Sequence, residues 1–372
     1  MHNISRRTAL GYSAIVLSGV GSAAQAASPP IVAPVPTNPL AAHVGVITMV
    51  TPDMDASIKF YCDLLDHEVI GRGSLEGKLP TVRGIGVPGR RYTLLKLKNT
   101  QNPERGIVRL LEAPADAKAN RPRPPAQIMD SGMATVELMS TDTAKSYERL
   151  TKAGVKSNSP PLYYYRPAVK PMPGSTDSFA QEFEIFTYSA FGPAGEQLFI
   201  SQTLTQGGKP FKFWNGPTLH SDISGFTLST RDRWPTWHFY KDVFGLTPTK
   251  DQYSYHPHKD YDIENINTLL AAPPGTYYRF GGLGDGMGIE WYEFRQWEPT
   301  AVPPYPTDLD RTGLAMATVI VDNLATVRAN LQAAKISTIG EGALPMADGK
   351  ARDGLYIRGA VGELIEVIDR QS

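Results

Sequence analysis

The sequence predicts an α+β protein of four βαβββ modules paired into two domains, each a curved mixed sheet enclosing a cavity. Three observations lead there. The stretch VITMVTPDMDASIKFYCDLLDHEVI (46–70) returns, thinned, as GFTLSTRDRWPTWHFYKDVFGLT from Gly225. Two more strand–helix openings, at Met133 and Ala315, alternate with these. Proline-rich joints (APADAKANRPRPP, TQGGKPFKFWNGP, WEPTAVPPYP) separate the four. A strand–helix–three-strand unit cannot bury its apolar sheet face alone, so two side by side curl a sheet around shared space.

The elements follow in order. His43 to Val50 is β-branched and reads as a strand, and Asp53 can cap a helix over MDASIKFYCDLL. Val69–Gly71, Tyr92–Leu97 and Gly106–Leu111 are the three strands after it. The second unit has a strand at Met133–Met139, a helix from Asp142 to Gly154, and strands near Phe183–Tyr188 and Gln197–Ser201. The third has Gly225–Ser229, a helix from Asp232 to Phe244 stopped by Gly245, and a last strand at Ile289–Phe294. The fourth has Ala315–Val321, a helix from Asp322 to Ala334, and a last strand at Leu364–Ile368. Grouped in chain order, these give domains 43–205 and 206–372.

Residues 1–26 carry a basic start, a short apolar run and an Ala-Gln-Ala end, the three parts of a secretory signal. Ser5-Arg6-Arg7 is similar to a twin-arginine signal, with Ala9 where phenylalanine is usual. Residues 27–42 form a proline-rich arm. The expected location is the periplasm or the medium, with no membrane anchor. Cys62 is the single cysteine, so no internal disulfide forms, and it reads as a core residue. Lys plus Arg equals Asp plus Glu at 37 each, and no Cys/His cluster has zinc-finger spacing. Nothing points to nucleic acid as a partner. A small organic molecule is the expected one; self-association stays open.

The phrase Asp53…Ser57…Phe60-Tyr61…Leu65, repeated as Asp232…Phe239-Tyr240…Phe244-Gly245, resembles the glyoxalase / bleomycin-resistance / extradiol-dioxygenase superfamily, or vicinal oxygen chelate superfamily. Asp66 stands where that family has glycine. The ending Gly362…IEVID fits the family as well. The resemblance implies a divalent metal in each working cavity, held by a histidine seven residues before the helix-capping aspartate and by glutamates on last strands. Those first-strand positions are Val46, Thr135, Gly225 and Ala315 here, and none can do a histidine's work. The last-strand positions read as Arg109, Phe199, Glu293 and Glu366. His43, His256 and His258 are outside candidates for a metal.

No cofactor is therefore expected, with a divalent metal as the alternative. Glu366 and Glu293 are the expected catalytic pair, converging in one cavity as acid and base. Glu290, three residues off, should face the other way. Arg109, Tyr164, Tyr278 and Trp291 are expected to bind substrate, the arginine needing an anionic partner and the aromatics suiting a flat ligand. Arg109 can equally pair with Glu112 or Glu137 as scaffold. The expected function is an exported, metal-independent acid/base enzyme of isomerase, epimerase or lyase type. The alternatives are a non-catalytic binding protein and a metal enzyme, extradiol-dioxygenase-like or glyoxalase-like, with displaced ligands.

Overall fold

The structure is a computed structural model describing residues 38–75, 82, 88–100, 104–120, 128, 130–166, 183–212, 214–246, 265, 267–272, 278–282, 288–294 and 305–371. The signal segment, most of the arm, His256 and His258 lie outside the described residues. Among the described residues no helix is long and apolar enough to cross a membrane.

The first module runs β1 (His43–Thr51), α1 (Met54–Lys59), β2 (His67–Ser74), β3 (Arg91–Leu97) and β4 (Ile107–Glu112). Asp53 caps α1 by accepting the Ala56 amide. A π-helical turn over Phe60–Leu64 continues α1 and buries both Phe60 and Tyr61. The second module holds β5 (Gly132–Ser140), α2 (Thr143–Lys152), β6 (Leu162–Arg166), β7 (Phe183–Phe191), β8 (Gln197–Gln206) and the short β9 (Lys209–Pro210). The third holds β10 (His220–Thr230), α3 (Arg233–Phe244), β11 (Tyr278–Gly282) and β12 (Ile289–Phe294). The fourth holds β13 (Gly313–Val321), α4 (Leu324–Ala333), β14 (Gly340–Glu341), β15 (Gly354–Arg358) and β16 (Leu364–Asp369). Asp142 and Asp232 cap their helices as expected. Asn323 caps α4 in place of the expected Asp322.

The four modules build two mixed sheets, and the pairing is not sequential. One sheet runs β14-β15-β16-β13-β1-β4-β3-β2. The other runs β11-β12-β10-β5-β8-β7-β6, with β9 on β8. The first module thus pairs with the fourth through antiparallel β1 and β13, and the second with the third through β5 and β10. The expected division into 43–205 and 206–372 does not follow the sheets. The physical reason lies in β1 and β13, which are buried at every residue. Strands covered on both faces belong at a sheet's centre, where each supplies the other's mate.

One core cluster joins the inward faces of both sheets: Met49, Val108, Ala317 and Ile365 from the first, Val136, Leu198, Phe226 and Leu228 from the second. Cys62 packs at its edge. Two matched hydrogen bonds tie the sheets. The Tyr61 hydroxyl donates to Glu196 Oε1 and the Tyr240 hydroxyl to Glu363 Oε1, each at 2.8 Å. Both glutamates are buried, and desolvation pushes each carboxyl up to about 7.

A polar network pins the end of α1 to the second and third modules. Asp66 sits at φ 62, the left-handed conformation for which the family's glycine would be suited. Its carboxylate accepts from Arg149 at 2.7 Å and faces His220 Nδ1 at 3.0 Å. Ser146 Oγ lies 2.6 Å from both His220 Nε2 and the Tyr188 hydroxyl. Burial raises the Asp66 pKa, but the His220 and Arg149 hydrogen bonds outweigh it and hold the group well below the usual carboxylate range. Ionised Asp66 only accepts, so Nδ1 carries the proton and Nε2 receives the Ser146 hydroxyl. Ser146 and His220 are fully buried, so this chain of bonds is a brace.

His67 is likewise buried, and desolvation lowers its pKa from 6.5 to about 4. The unfolded chain therefore binds that proton first as pH falls. The stability linked to His67 is complete above about 6.5 and is lost progressively towards pH 4, amounting to about 3 kcal/mol for a shift of this size. His67→Leu is expected to flatten the pH dependence of urea unfolding between pH 6.5 and 4. An unchanged slope would assign the acid sensitivity elsewhere.

Candidate functional site

In three modules the first-strand residue aligned with the expected last-strand position lies five residues before the helix cap, and the same offset in the third module falls across from Glu290, not Glu293. The parallel registers pair Thr48 with Arg109, Glu137 with Phe199, Thr227 with Glu290, and Thr318 with Glu366. The caps are Asp53, Asp142, Asp232 and Asn323. Counting seven back from Asn323 gives Met316, so Ala315 was one residue out of step. Gly225 has a steric reason to be glycine: a Cβ there would stand 2.1 Å from the Gly288 carbonyl oxygen.

The first sheet brings together two residues expected to act apart. Arg109 Nη1 donates to Glu366 Oε2 at 3.0 Å, with both side chains almost wholly excluded from solvent. Arg109 also donates to Thr48 Oγ1 at 3.2 Å. Glu366 Oε2 accepts from Thr318 at 2.6 Å, and Oε1 from the Tyr356 hydroxyl at 2.8 Å and the Leu344 amide at 2.6 Å. The carboxylate is fully engaged by four donors. Apolar side chains close both flanks: Val50, Leu111, Leu309 and Leu344 on one, Val46, Ile107 and Met346 on the other. The chain's own segment around Leu344 and Met346 fills the space a ligand would take. The structure thus holds Arg109 and Glu366 together as one buried ion pair, not as separate substrate-binding and catalytic groups. Neither Glu112 nor Glu137 is the arginine's partner.

Glu293 does not meet Glu366. It lies on β12 in the second sheet, and its backbone pairs with Thr230 and Arg279. The register gives the position across from Thr227 to Glu290 instead, reversing the expectation that Glu290 faces away. Tyr164, Tyr278 and Trp291 also lie on the second sheet, across from Ile185, Phe294 and Leu228. The structure describes these three and Glu293 by their backbone. His43 is buried, with Nδ1 3.0 Å from the Ala41 carbonyl oxygen, and serves as a strand-end residue.

The second sheet is built differently. Thr227 Oγ1 donates to Glu137 Oε1 at 2.8 Å. Thr135, directly across from Thr227, has a buried Oγ1 with no hydrogen-bond partner among the described residues. Glu137 and Glu290 are half-buried, unlike their fully enclosed counterparts in the first sheet. Two carboxylates and two threonine hydroxyls thus share one face. The sequence offered Glu137 only as a possible scaffold partner for Arg109.

The family's metal finds no fit in the first sheet, where a guanidinium stands among the would-be ligands. Among the described residues, no group of three or more His, Cys, Asp or Glu side chains is arranged to hold an ion.

Residues 42–169 match the model of the Glyoxalase/Bleomycin resistance protein/Dioxygenase superfamily. The chain has the fold of that superfamily. Glyoxalase I from Zea mays is a structural neighbour at 12% identity, covering 89% of this chain and 93% of that one, with a TM-score of 0.53. A variant of the same maize enzyme gives 13%, 89%, 94% and 0.53. At such identities the likeness is one of fold alone. No curated protein matches the sequence.

Breaking a buried ion pair from one side strands a charge, whereas replacing both partners with apolar groups does not. Arg109→Met is expected to cost about 3–5 kcal/mol in urea unfolding. Adding Glu366→Leu should recover most of that loss. A single variant as stable as the parent would show that the pair does not hold the sheet together.

Proposed function

We propose that this glyoxalase-fold chain takes up a small organic molecule, aromatic or carbonyl-bearing, on the second sheet and moves a proton there with Glu137 and Glu290. The contrast between the two sheets supports this reading. One has spent its charged groups on each other under a plug of its own side chains. The other keeps two half-buried carboxylates beside a hydroxyl without a partner. A carboxylate at each side of a bound carbonyl compound can take a proton from the α-carbon and return one, and Thr135 can donate to the developing oxyanion. That is isomerase, epimerase or lyase chemistry, and it calls for no metal. The signal-like start of the chain supports action outside the cytoplasm.

The test is solvent exchange. Mature protein incubated in D2O with a panel of aryl ketones and α-keto acids is expected to catalyse deuterium entry at the α-carbon, followed by NMR. Glu137→Gln or Glu290→Gln should slow it by about 100-fold or more. Binding without exchange would leave a binding protein. Exchange untouched by either substitution would remove both carboxylates from the chemistry.

A further inference from the structure

The first proline-rich joint meets the stretch that follows the last one. Ala119 and Thr312 form a parallel bridge: the Asn120 amide donates to the Thr312 carbonyl and the Thr312 amide to the Lys118 carbonyl, each at 2.8 Å. The Asn120 side chain locks the crossing. Its Nδ2 donates to the Asp308 and Arg311 carbonyls at 3.0 and 3.2 Å, and its Oδ1 accepts the Asp308 amide at 2.8 Å. Tyr305 is fastened to the entry of β5, its amide donating to the Ser131 carbonyl at 2.9 Å. A Cβ on Gly132 would stand 2.8 Å from the Tyr305 carbonyl oxygen, so that approach depends on glycine.

Between these clamped segments and the strand ends at Pro52, Met133 and Leu314 lies a cavity of about 500 Å³. Met133, Phe191, Pro193 and Leu314 give it an apolar wall. Pro52 and Gly195, both exposed, stand at its rim. Most of its polar side chains are engaged within the protein. Asn120 holds the joints, Thr307 Oγ1 receives the Leu364 amide at 2.9 Å, and Gln197 Nε2 donates to Ser189 Oγ at 2.7 Å. The Glu196 carboxyl is folded under its own turn, where Oε1 takes the Tyr61 hydroxyl and the Ala194 and Glu196 amides face it. A Cβ on Gly192 would stand 2.1 Å from that Oε1. No lysine, arginine or histidine lines the space. The half-buried hydroxyls of Tyr305 and Thr312 are left to meet a ligand.

We infer that this cavity is a second ligand site, taking a neutral aromatic molecule whose one polar group, a hydroxyl or carbonyl, lies at the Tyr305 and Thr312 side. The chemistry selects the class. An anion would find no cation here, and a cation no carboxylate it can reach, so either would leave water without a partner. Aromatic rings suit a wall of phenylalanine, methionine and proline. Because both joints are already clamped, a ligand has little left to order on binding. A preformed space of this size suits a small organic ligand. The site shares none of Thr135, Glu137, Thr227 and Glu290 with the proton-transfer site.

2-Naphthol is the probe, titrated into the mature protein near neutral pH and followed by its own fluorescence. It is expected to bind at least about tenfold more tightly than 2-naphthoate or protonated 2-naphthylmethylamine, which carry a charge on the same rings. Thr312→Trp and Pro193→Trp enter the cavity from different walls at half-buried positions, and each should weaken 2-naphthol binding by about tenfold or more through bulk. Should one of them fail to fold, the other carries the test. Glu137→Gln should leave 2-naphthol affinity unchanged, and Thr312→Trp should leave deuterium exchange at the second sheet unchanged, so the two sites fail or stand separately. No 2-naphthol binding, binding indifferent to both tryptophan variants, or equal binding of a charged analogue overturns the inference.

Discussion

The buried pair of Arg109 and Glu366 governs what the first sheet can do. Taking both charges out of water is costly, and their attraction offsets that cost only when every remaining hydrogen-bonding site is used. Here Glu366 uses four donors, one of them the Leu344 amide. The segment carrying Leu344 and Met346 is thereby held over the sheet. Opening that sheet to a ligand would break the Leu344 bond and wet an ion pair that the surrounding apolar clusters keep dry. Stability and ligand access are in direct conflict there.

The arrangement of modules explains how a chain tolerates such a sheet. The sequence repeat runs first–second and third–fourth, while the sheets join first–fourth and second–third. The Tyr61–Glu196 and Tyr240–Glu363 bonds run along the sequence repeat, from one sheet to the other. Strand pairing and tyrosine bonds therefore link the four modules in a ring. A fragment ending near residue 205 would leave β1 and β5 without antiparallel mates and expose unpaired central strands. The described modules are one cooperative body, and one sheet can serve as scaffold for the other.

Local features were legible in the sequence. Asp53, Asp142 and Asp232 cap their helices because a short acceptor before an apolar period satisfies free amides wherever the helix packs. Gly245 ends α3 in the left-handed region for an equally local reason. Partner choice was not legible. All four first strands are apolar, and nothing local says which one β1 will meet. That error placed Glu293 beside Glu366. The face of Glu290 was lost for a related reason, since one residue of register reverses a strand. The bond between Asp66 and His220 joins residues far apart in the chain, and its sole sequence signal was an aspartate at a glycine's position. The matched turns GPAGEQLF and RGAVGELI did carry a usable signal, because a glutamate entering an apolar strand in two repeats needs a partner in both.

Repetition also shows where function has freedom to lie. Two copies that fold alike share the constraints of folding, so features common to both, such as the tyrosine–glutamate bonds, are explained by architecture. Differences between the copies are not. The first sheet carries arginine at its second last-strand position, and the second sheet carries phenylalanine there. One choice neutralises the opposing carboxylate and closes the face. The other has no guanidinium at that position and sets Glu137 beside the Thr227 hydroxyl and a buried Thr135 hydroxyl that has no partner among the described residues. A carboxylate kept half-buried beside an unpartnered hydroxyl is the kind of local inconsistency that function accounts for when packing does not.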